Sequence, residues 1–184
     1  MSPDVLRVLY FFLPAYVANV APVFARDLAP AWSAPIDGGC TFRGRRVLGA
    51  HKTWRGLLAG TAAGALVFEA QVLAHRAGFL HGLAALDYET ASPWIGLLLG
   101  LGAGLGDAVK SFFKRQVGVA PGESWLGPDQ LDFMVGAWVF VCLAWVPPAA
   151  PLLAALPVVF LGDLAASAIR SRRSSTRHAG RRSW

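Results

Sequence analysis

Five apolar stretches divide this 184-residue chain: Val5–Ala25, Gly56–Ala74, Trp94–Gly106 continuing toward Phe113, Phe133–Val146 and Pro151–Ile169. A helix that crosses a bilayer needs about 20 mostly apolar residues. The third and fourth stretches reach that length only when their polar ends are counted. Few other folds are open to such a chain. Residues are 55% hydrophobic and 15% charged, where a soluble domain carries about 25% charged residues, and the mean hydropathy is +0.47. That balance excludes a disordered protein and argues against an ordinary soluble domain. The expectation is an all-α, polytopic integral membrane protein of about five transmembrane helices. One membrane-embedded domain covers 1–169, followed by a basic tail over 170–184 that is expected to be disordered and to bind the lipid surface.

The basic residues orient these spans. With five crossings, one face receives the loop Arg26–Arg55, the loop Asp107–Leu131 and the tail, which together hold fifteen of the seventeen Lys and Arg residues. Only Arg7 and Arg76 fall on the other face. Cytoplasmic loops concentrate Lys and Arg, so the N-terminus is placed outside, the C-terminus in the cytoplasm, and the protein in the cell membrane. The first stretch reads as a retained span rather than a signal peptide, because Asp4 weakens its basic start and Pro14 interrupts the apolar run. Gly56, Gly60 and Gly64 share one helix face, as do Gly96, Gly100 and Gly104. Such stripes let backbones approach closely, so the second and third spans are expected to pack through them. Cys40 and Cys142 form no disulfide framework and no zinc spacing.

Polar residues not needed for solubility gather in the two loops on the basic face. The first loop holds Pro35-Ile36-Asp37-Gly38, Arg43-Gly44-Arg45-Arg46 and Gly49-Ala50-His51-Lys52-Thr53-Trp54-Arg55-Gly56. In the second, Asp107, Lys110, Ser111 and Lys114 fall on one helical face by their spacing, with Arg115 beside them. Asp129 and Asp132 share a face where the fourth span begins. Two adjacent carboxylates repel unless a cation sits between them, and Mg²⁺ takes one or two carboxylates plus phosphate oxygens. Acids beside Lys and Arg in a cytoplasmic cleft are the parts needed to hold a nucleoside triphosphate and a metal.

Plainer readings stand beside these. Asp129 and Asp132 equally suit a helix cap and its positive end. On composition alone, Lys110, Lys114 and Arg115 read as anchors on lipid headgroups, and Arg43, Arg45 and Arg46 as solvated charges near anionic lipid. His51 alone is weak, being equally a packing residue. Asp107 is harder to dismiss, because an ionisable residue ending an apolar span is costly and often functional. Glu69, Gln71 and Asp163, inside spans, could each pair internally and receive no functional role. A transporter is disfavoured, since no inverted repeat is visible.

Five motifs, in order and spacing from the first span to the fourth, resemble the CDP-archaeol synthases. They are Pro14-Ala15-Tyr16-Val17-Ala18-Asn19, Pro35-Ile36-Asp37-Gly38, Gly49-Ala50-His51-Lys52-Thr53-Trp54-Arg55-Gly56, Lys110-Ser111-Phe112-Phe113-Lys114-Arg115 and Asp129-Gln130-Leu131-Asp132-Phe133. The phosphatidate cytidylyltransferases are similar at greater distance, through Ser111 to Arg115 and Asp129 to Asp132. The Lys-Asp and His-Gly-Gly elements of that larger family are missing here. The resemblance implies a Mg²⁺-dependent membrane enzyme that transfers CMP from CTP to a lipid phosphate and releases pyrophosphate, with its site facing the cytoplasm.

By position, the resemblance implies that Asp107, Asp129 and Asp132 hold the metal and that Lys110, Lys114 and Arg115 hold the triphosphate. His51, Lys52 and Arg55 would hold a phosphate of one substrate, with Asn19, Asp37 and Ser111 in support. The implied partners are CTP, a lipid phosphate and membrane lipids, with no nucleic acid; oligomeric state is left open. One departure stands out: the family's last span tends to end in a His with an Asn four residues later, where this chain has Gly162-Asp163-Leu164-Ala165-Ala166-Ser167. Arg outnumbers Lys 14 to 3, which suggests a GC-rich genome, and the basic balance argues against a salt-loving archaeon. Both lean toward phosphatidate or a related lipid phosphate, whereas the family's best-known substrate is the archaeal unsaturated diether phosphate. The competing class is a non-catalytic scaffold or anionic-lipid binder descended from such an enzyme.

Overall fold

The computed structural model describes residues 3–120 and 128–147, of 128–130 the backbone alone, together with Leu153, Leu156 and Pro157. The rest of the fifth apolar stretch, Glu123, Asp163, Ser167 and the tail from Arg170 lie outside the described residues. The chain runs α1 (Pro3–Phe11), α2 (Leu13–Leu28), a hairpin of β1 (Thr41–Phe42) and β2 (Arg45–Arg46), then α3 (Trp54–Arg76), α4 (Trp94–Gln116) and α5 (Pro128–Val141). α3 and α4 are each long and apolar enough to cross a membrane, and the α1–α2 pair qualifies as a third if taken as one bent span. The apolar part of α5 is shorter, Leu131–Val141.

The first apolar stretch is not one straight helix. It bends by 43° between α1 and α2. Pro14 is the cause: it has no N–H to give the carbonyl of Tyr10 four residues back, and its ring crowds that carbonyl. The buried side chain of Gln71, on α3, supplies the missing donor, with Nε2 2.5 Å from the Tyr10 oxygen. In α2, Pro22 likewise leaves the Ala18 carbonyl without its helical donor. Gly60 of α3 lies against that carbonyl, and a Cβ there would stand 2.8 Å from the Ala18 oxygen.

The helices pack in the order α2, α3, α4, α5, each against the next. Gly64, Gly96 and Gly100 do join the second and third spans: a Cβ on Gly64 would come 2.7 Å from the Cα of Gly100. Gly56 and Gly60 face α2 instead. A further close approach joins α4 to α5, where a Cβ on Gly106 would meet the Asp132 carbonyl oxygen at 2.3 Å. The apolar core runs through Phe11, Phe12, Phe68, Leu99, Met134 and Val141.

One correction concerns the loop 29–53, expected to be without regular structure. It contains the antiparallel β1–β2 ribbon, Thr41 opposite Arg46 and Phe42 opposite Arg45. Arg43 and Gly44 both take positive φ, 53° and 75°, which is the two-residue turn that matches strand twist. Strands of two residues are too short for alternation to announce them.

Candidate active site

Thr53 sets the local frame. Its hydroxyl accepts the N–H of Gly56 and caps the start of α3, a favoured use of Thr. The segment before it pairs with residues 34–36: Ile36 N donates to Lys52 O at 2.8 Å, and Trp54 N to Ala34 O at 3.1 Å. These bonds fix Lys52 at the head of α3, beside α4. Arg55 is buried and donates to the Ala29 carbonyl at 2.6 Å, tying the end of α2 to the start of α3.

From Lys52 a chain of alternating charges crosses the bundle. Its ammonium donates to Asp107 Oδ2. Lys110 then lies 3.0 Å from Asp107 Oδ1 and 2.8 Å from Asp132 Oδ2. Side-chain exposure falls from about a quarter at Lys52 and Asp107 to 7% at Asp132, so the chain descends into the protein. Two carboxylates this close to each other need a cation between them, and the Lys110 ammonium takes that position. Gly106 makes the pairing possible, because its missing side chain lets α5 bring Asp132 in.

Two concavities flank this chain. A narrow pocket of about 70 Å³ is lined by Asn19, His51, Lys52 and Asp107, with Gly56 and Gly60 of α3. It joins a wider hollow beside His51, Arg26 and Arg55. On the other side, a groove of about 610 Å³ lies between α4 and α5, and Lys110 and Asp132 are its polar residues.

Asn19, His51, Lys52, Asp107, Lys110 and Asp132 therefore gather at one end of the bundle. Other expected site residues stand apart. Asp37 lines neither concavity. Its fully enclosed carboxylate accepts from Arg46 at 2.9 Å and from the N–H groups of Leu48, Gly49 and Gly39. Burial alone would raise this carboxyl, but the Arg46 guanidinium and the three N–H donors outweigh it and hold the group well below the usual carboxylate range. Asp37 thus organises the loop that carries His51 and Lys52. Ser111 is buried and returns its hydroxyl to the Asp107 carbonyl at 2.8 Å. Lys114 is buried on α4. Arg115 donates to the Ala120 carbonyl at 3.2 Å, closing the chain after α4. Asp129 falls in the first turn of α5, its side chain outside the described residues.

Arg45 and Arg46 keep the solvent access expected of them, Arg45 exposed and Arg46 about a third exposed, but both also have partners. Arg46 pairs with Asp37. Arg45 donates to the carbonyls of Gln116 at 2.5 Å and Arg115 at 3.4 Å. It caps the end of α4, a favourable place for a cation, and locks the hairpin onto the helix that bears Asp107 and Lys110. Sequence offered only the basic run as a signal for it.

Among the described residues, no three His, Cys, Asp or Glu side chains come together as a metal site. Asp107 and Asp132 nevertheless fit Mg²⁺, which takes one or two carboxylates and completes its shell with water and phosphate oxygens. Asp132 Oδ2 is buried and ion-paired with Lys110, without an aligned hydrogen bond. The whole cluster suits a polyanion: acids for a divalent cation, with Lys52 and Lys110 interleaved and Lys114 near them on the same helix.

The chain matches the CarS-like CDP-archaeol synthase family model over residues 2–170. It is 39% identical to the CDP-archaeol synthase of Thermofilum pendens over 165 residues, covering 86% of this chain and 74% of that one. It is 44% identical to the CDP-archaeol synthase of Methanosarcina mazei over 140 residues, covering 72% and 75%. A solved structure of an intramembrane enzyme for archaeal membrane lipids biosynthesis superposes with a TM-score of 0.64 at 35% identity, covering 86% of this chain and 91% of that one.

Proposed function

From the premise that this chain belongs to the CDP-archaeol synthase family, we propose that it transfers CMP from CTP to the phosphate of an archaeal diether lipid. The products are a CDP-activated lipid and pyrophosphate. The observation that carries this reading is the chain Lys52–Asp107–Lys110–Asp132, set between a polar pocket and an apolar groove. A phosphate on a lipid and a phosphate on a water-soluble nucleotide must meet where such surfaces join.

In the reaction an oxygen of the lipid phosphate bonds to the α-phosphorus of CTP, and the bond from that phosphorus to the β-phosphate bridge breaks. No side-chain nucleophile is needed, since the lipid phosphate is already ionised. The difficulty is bringing two anions together, so positioning and charge neutralisation carry the catalysis. Lys110 and Lys52 offset the charge of the reacting phosphates, and Lys114 with Arg115 serve the triphosphate. His51 and Asn19 line the pocket that receives one substrate, with Arg55 beside it. Asp107 and Asp132, with Asp129, would hold Mg²⁺, which when bound would supply positive charge against the phosphates. Asp37 and Ser111 act through the backbone they hold.

The archaeal lipid replaces the expectation of phosphatidate. The relatives named above are all archaeal enzymes named for archaeol, and nothing in them favours phosphatidate or a scaffold role. The reading also takes residues 1–169 as one domain of five spans in the cell membrane, site inward, supported by the placement of fifteen of seventeen basic residues. Purified protein given CTP, Mg²⁺ and a panel of lipid phosphates should release pyrophosphate fastest with the archaeal diether phosphate. Faster release with phosphatidate would overturn the choice of lipid, and release with neither would overturn the activity.

A further inference from the structure

The turn at the tip of the hairpin holds an arginine where the backbone disfavours one. Arg43 takes φ 53°, in the left-handed region where side chains beyond glycine are strained and asparagine is best tolerated. Asn-Gly is the favoured pair in a turn of this kind, and this chain has Arg43-Gly44. No partner within the protein accounts for the guanidinium. At the basic end of the bundle Arg26 lies against Asp27 and Arg46 against Asp37, while Arg45, Arg55 and Arg115 donate to backbone carbonyls. Among the described residues Arg43 meets only a ring: its Cζ stands 5.3 Å from the centroid of Phe42. Phe42 is itself 46% exposed. Other exposed rings, such as Phe24, Phe79 and Phe113, carry no cation over their faces among the described residues.

The height of the hairpin along the bundle gives this pair a place. The Phe42 ring is 6.0 Å from that of Phe112 on α4, and Arg45 reaches the Gln116 carbonyl at the end of the same helix. Phe112 lies about 27 Å from Trp94 at the helical rise. Trp94 opens α4 and Trp54 opens α3 at the other end, both exposed. Such Trp rings mark the two interfaces of a membrane, whose hydrocarbon core is about 30 Å thick. The hairpin, set beside Phe112 and Gln116, therefore stands where hydrocarbon gives way to headgroups.

We propose that the hairpin tip is a membrane-surface contact, with Phe42 at the edge of the hydrocarbon and the Arg43 guanidinium on the phosphate of an anionic lipid headgroup. The inference rests on α4 crossing the bilayer and not on the activity. The lipid is a bulk lipid and not the substrate, since Arg43 lines neither the pocket, the hollow nor the groove. Charge complementarity identifies the occupant. A guanidinium stacked on a ring keeps its N–H edge for a phosphate, and a phospholipid surface offers phosphate and hydrocarbon side by side. Through Arg45 and Arg46 the contact ties that surface to α4 and to the loop that carries His51 and Lys52.

Cross-linking at the tip tests this. With Phe42 replaced by p-benzoylphenylalanine, the protein is placed in nanodiscs of mixed phosphatidylcholine and phosphatidylglycerol, irradiated and mapped by mass spectrometry. Lipid adducts should form at position 42. One arginine near the surface favours anionic lipid by about fivefold, so phosphatidylglycerol should exceed its share of the bilayer by that factor. Arg43→Asn removes the charge and installs the favoured turn pair. It should return the adducts to the bilayer ratio, with a melting temperature equal to wild type or higher. Adducts to the chain itself or to a second copy in place of lipid, or a lipid ratio indifferent to Arg43→Asn, would overturn the proposal. So would a lower melting temperature, which would give Arg43 a structural role. A phosphate can also come from a nucleotide. Saturating CTP should leave the lipid adducts unchanged, and in detergent the KM for CTP of Arg43→Asn should match wild type. Adducts lost to CTP, or a raised KM, would assign Arg43 to the nucleotide and overturn the lipid contact. The lipid ratio is read without turnover. The expected adducts from a protein that makes no CDP-lipid would therefore sink the enzymatic reading and leave this contact standing.

Discussion

Asp37 and Asp107 are both carboxylates beside basic residues, yet their surroundings give them different work. Asp37 is enclosed and holds Arg46 and three backbone N–H groups; Asp107 is a quarter exposed, lines the pocket and shares its charge with two lysines. Asp37→Asn should therefore lower stability by about 2–3 kcal/mol, the scale of hydrogen bonds to a charged group. Below the melting temperature, the KM values of the folded enzyme should stay close to wild type. The sign with pH follows from the depressed folded-state value. The Asp37 contribution is complete above about pH 4, the unfolded value, and is lost as pH falls through the lower folded value. Thermal melts of wild type and Asn variant should thus converge on acidification; a constant gap would deny the ionised Asp37 its role. Asp107→Asn should behave oppositely, costing at least about 10²-fold in turnover while the chain stays folded. The resemblance already put Asp37 in a supporting place, through its motif, and Asp107 at the metal, from its position ending a span; the enclosure of Asp37 by the N–H groups of Leu48 and Gly49 was not legible, because it depends on a loop path that no spacing rule records.

Among the elements, α4 and α5 decide whether the ion chain exists. Gly106→Ala would place a Cβ at 2.3 Å from the Asp132 carbonyl. The helices must then separate, drawing Asp132 away from Lys110. We expect a clear fall in melting temperature together with a loss of activity that added Mg²⁺ does not restore. Unchanged melting and turnover would mean that the α4–α5 approach does not position the site. The Gly-rich stripes at 56–64 and 96–104 were readable as packing faces, since helical spacing is a property of the sequence. Which helix each glycine meets was not readable: Gly60 faces Ala18 because Pro22 bares that carbonyl, a tertiary event. Gln71 is a similar case. In the sequence it is a polar residue in a span that could pair internally, with no partner named; in the structure it supplies the donor that Pro14 withholds from Tyr10. The hairpin and the Arg45 cap on α4 escaped for the same reason, their signals being two residues long or shared with any basic loop.

For the whole molecule, the apolar stretches carry the helical architecture, and the placement of the basic residues carries the proposed orientation. α3, at 23 residues, spans about 34 Å, enough for a hydrocarbon core of about 30 Å. The hairpin loop precedes α3 and His81 follows it, so the two should face opposite aqueous sides. In a Cys142→Ala background, a membrane-impermeant maleimide should reach the exposed Cys40 only from the cytoplasm. In a Cys40→Ser, Cys142→Ala background it should reach a His81→Cys variant only from outside. The reverse pattern would invert the proposed orientation. The central claim, that this chain moves CMP from CTP onto a lipid phosphate, is tested most directly by following the label. With purified protein, Mg²⁺ and archaeal diether phosphate, radiolabel at the α-phosphate of CTP should pass into the lipid fraction. Label at the γ-phosphate should appear in pyrophosphate in equal amount, and Asp107→Asn should suppress both. Lipid carrying the γ-label would show phosphoryl transfer instead, and lipid carrying neither label would contradict the account.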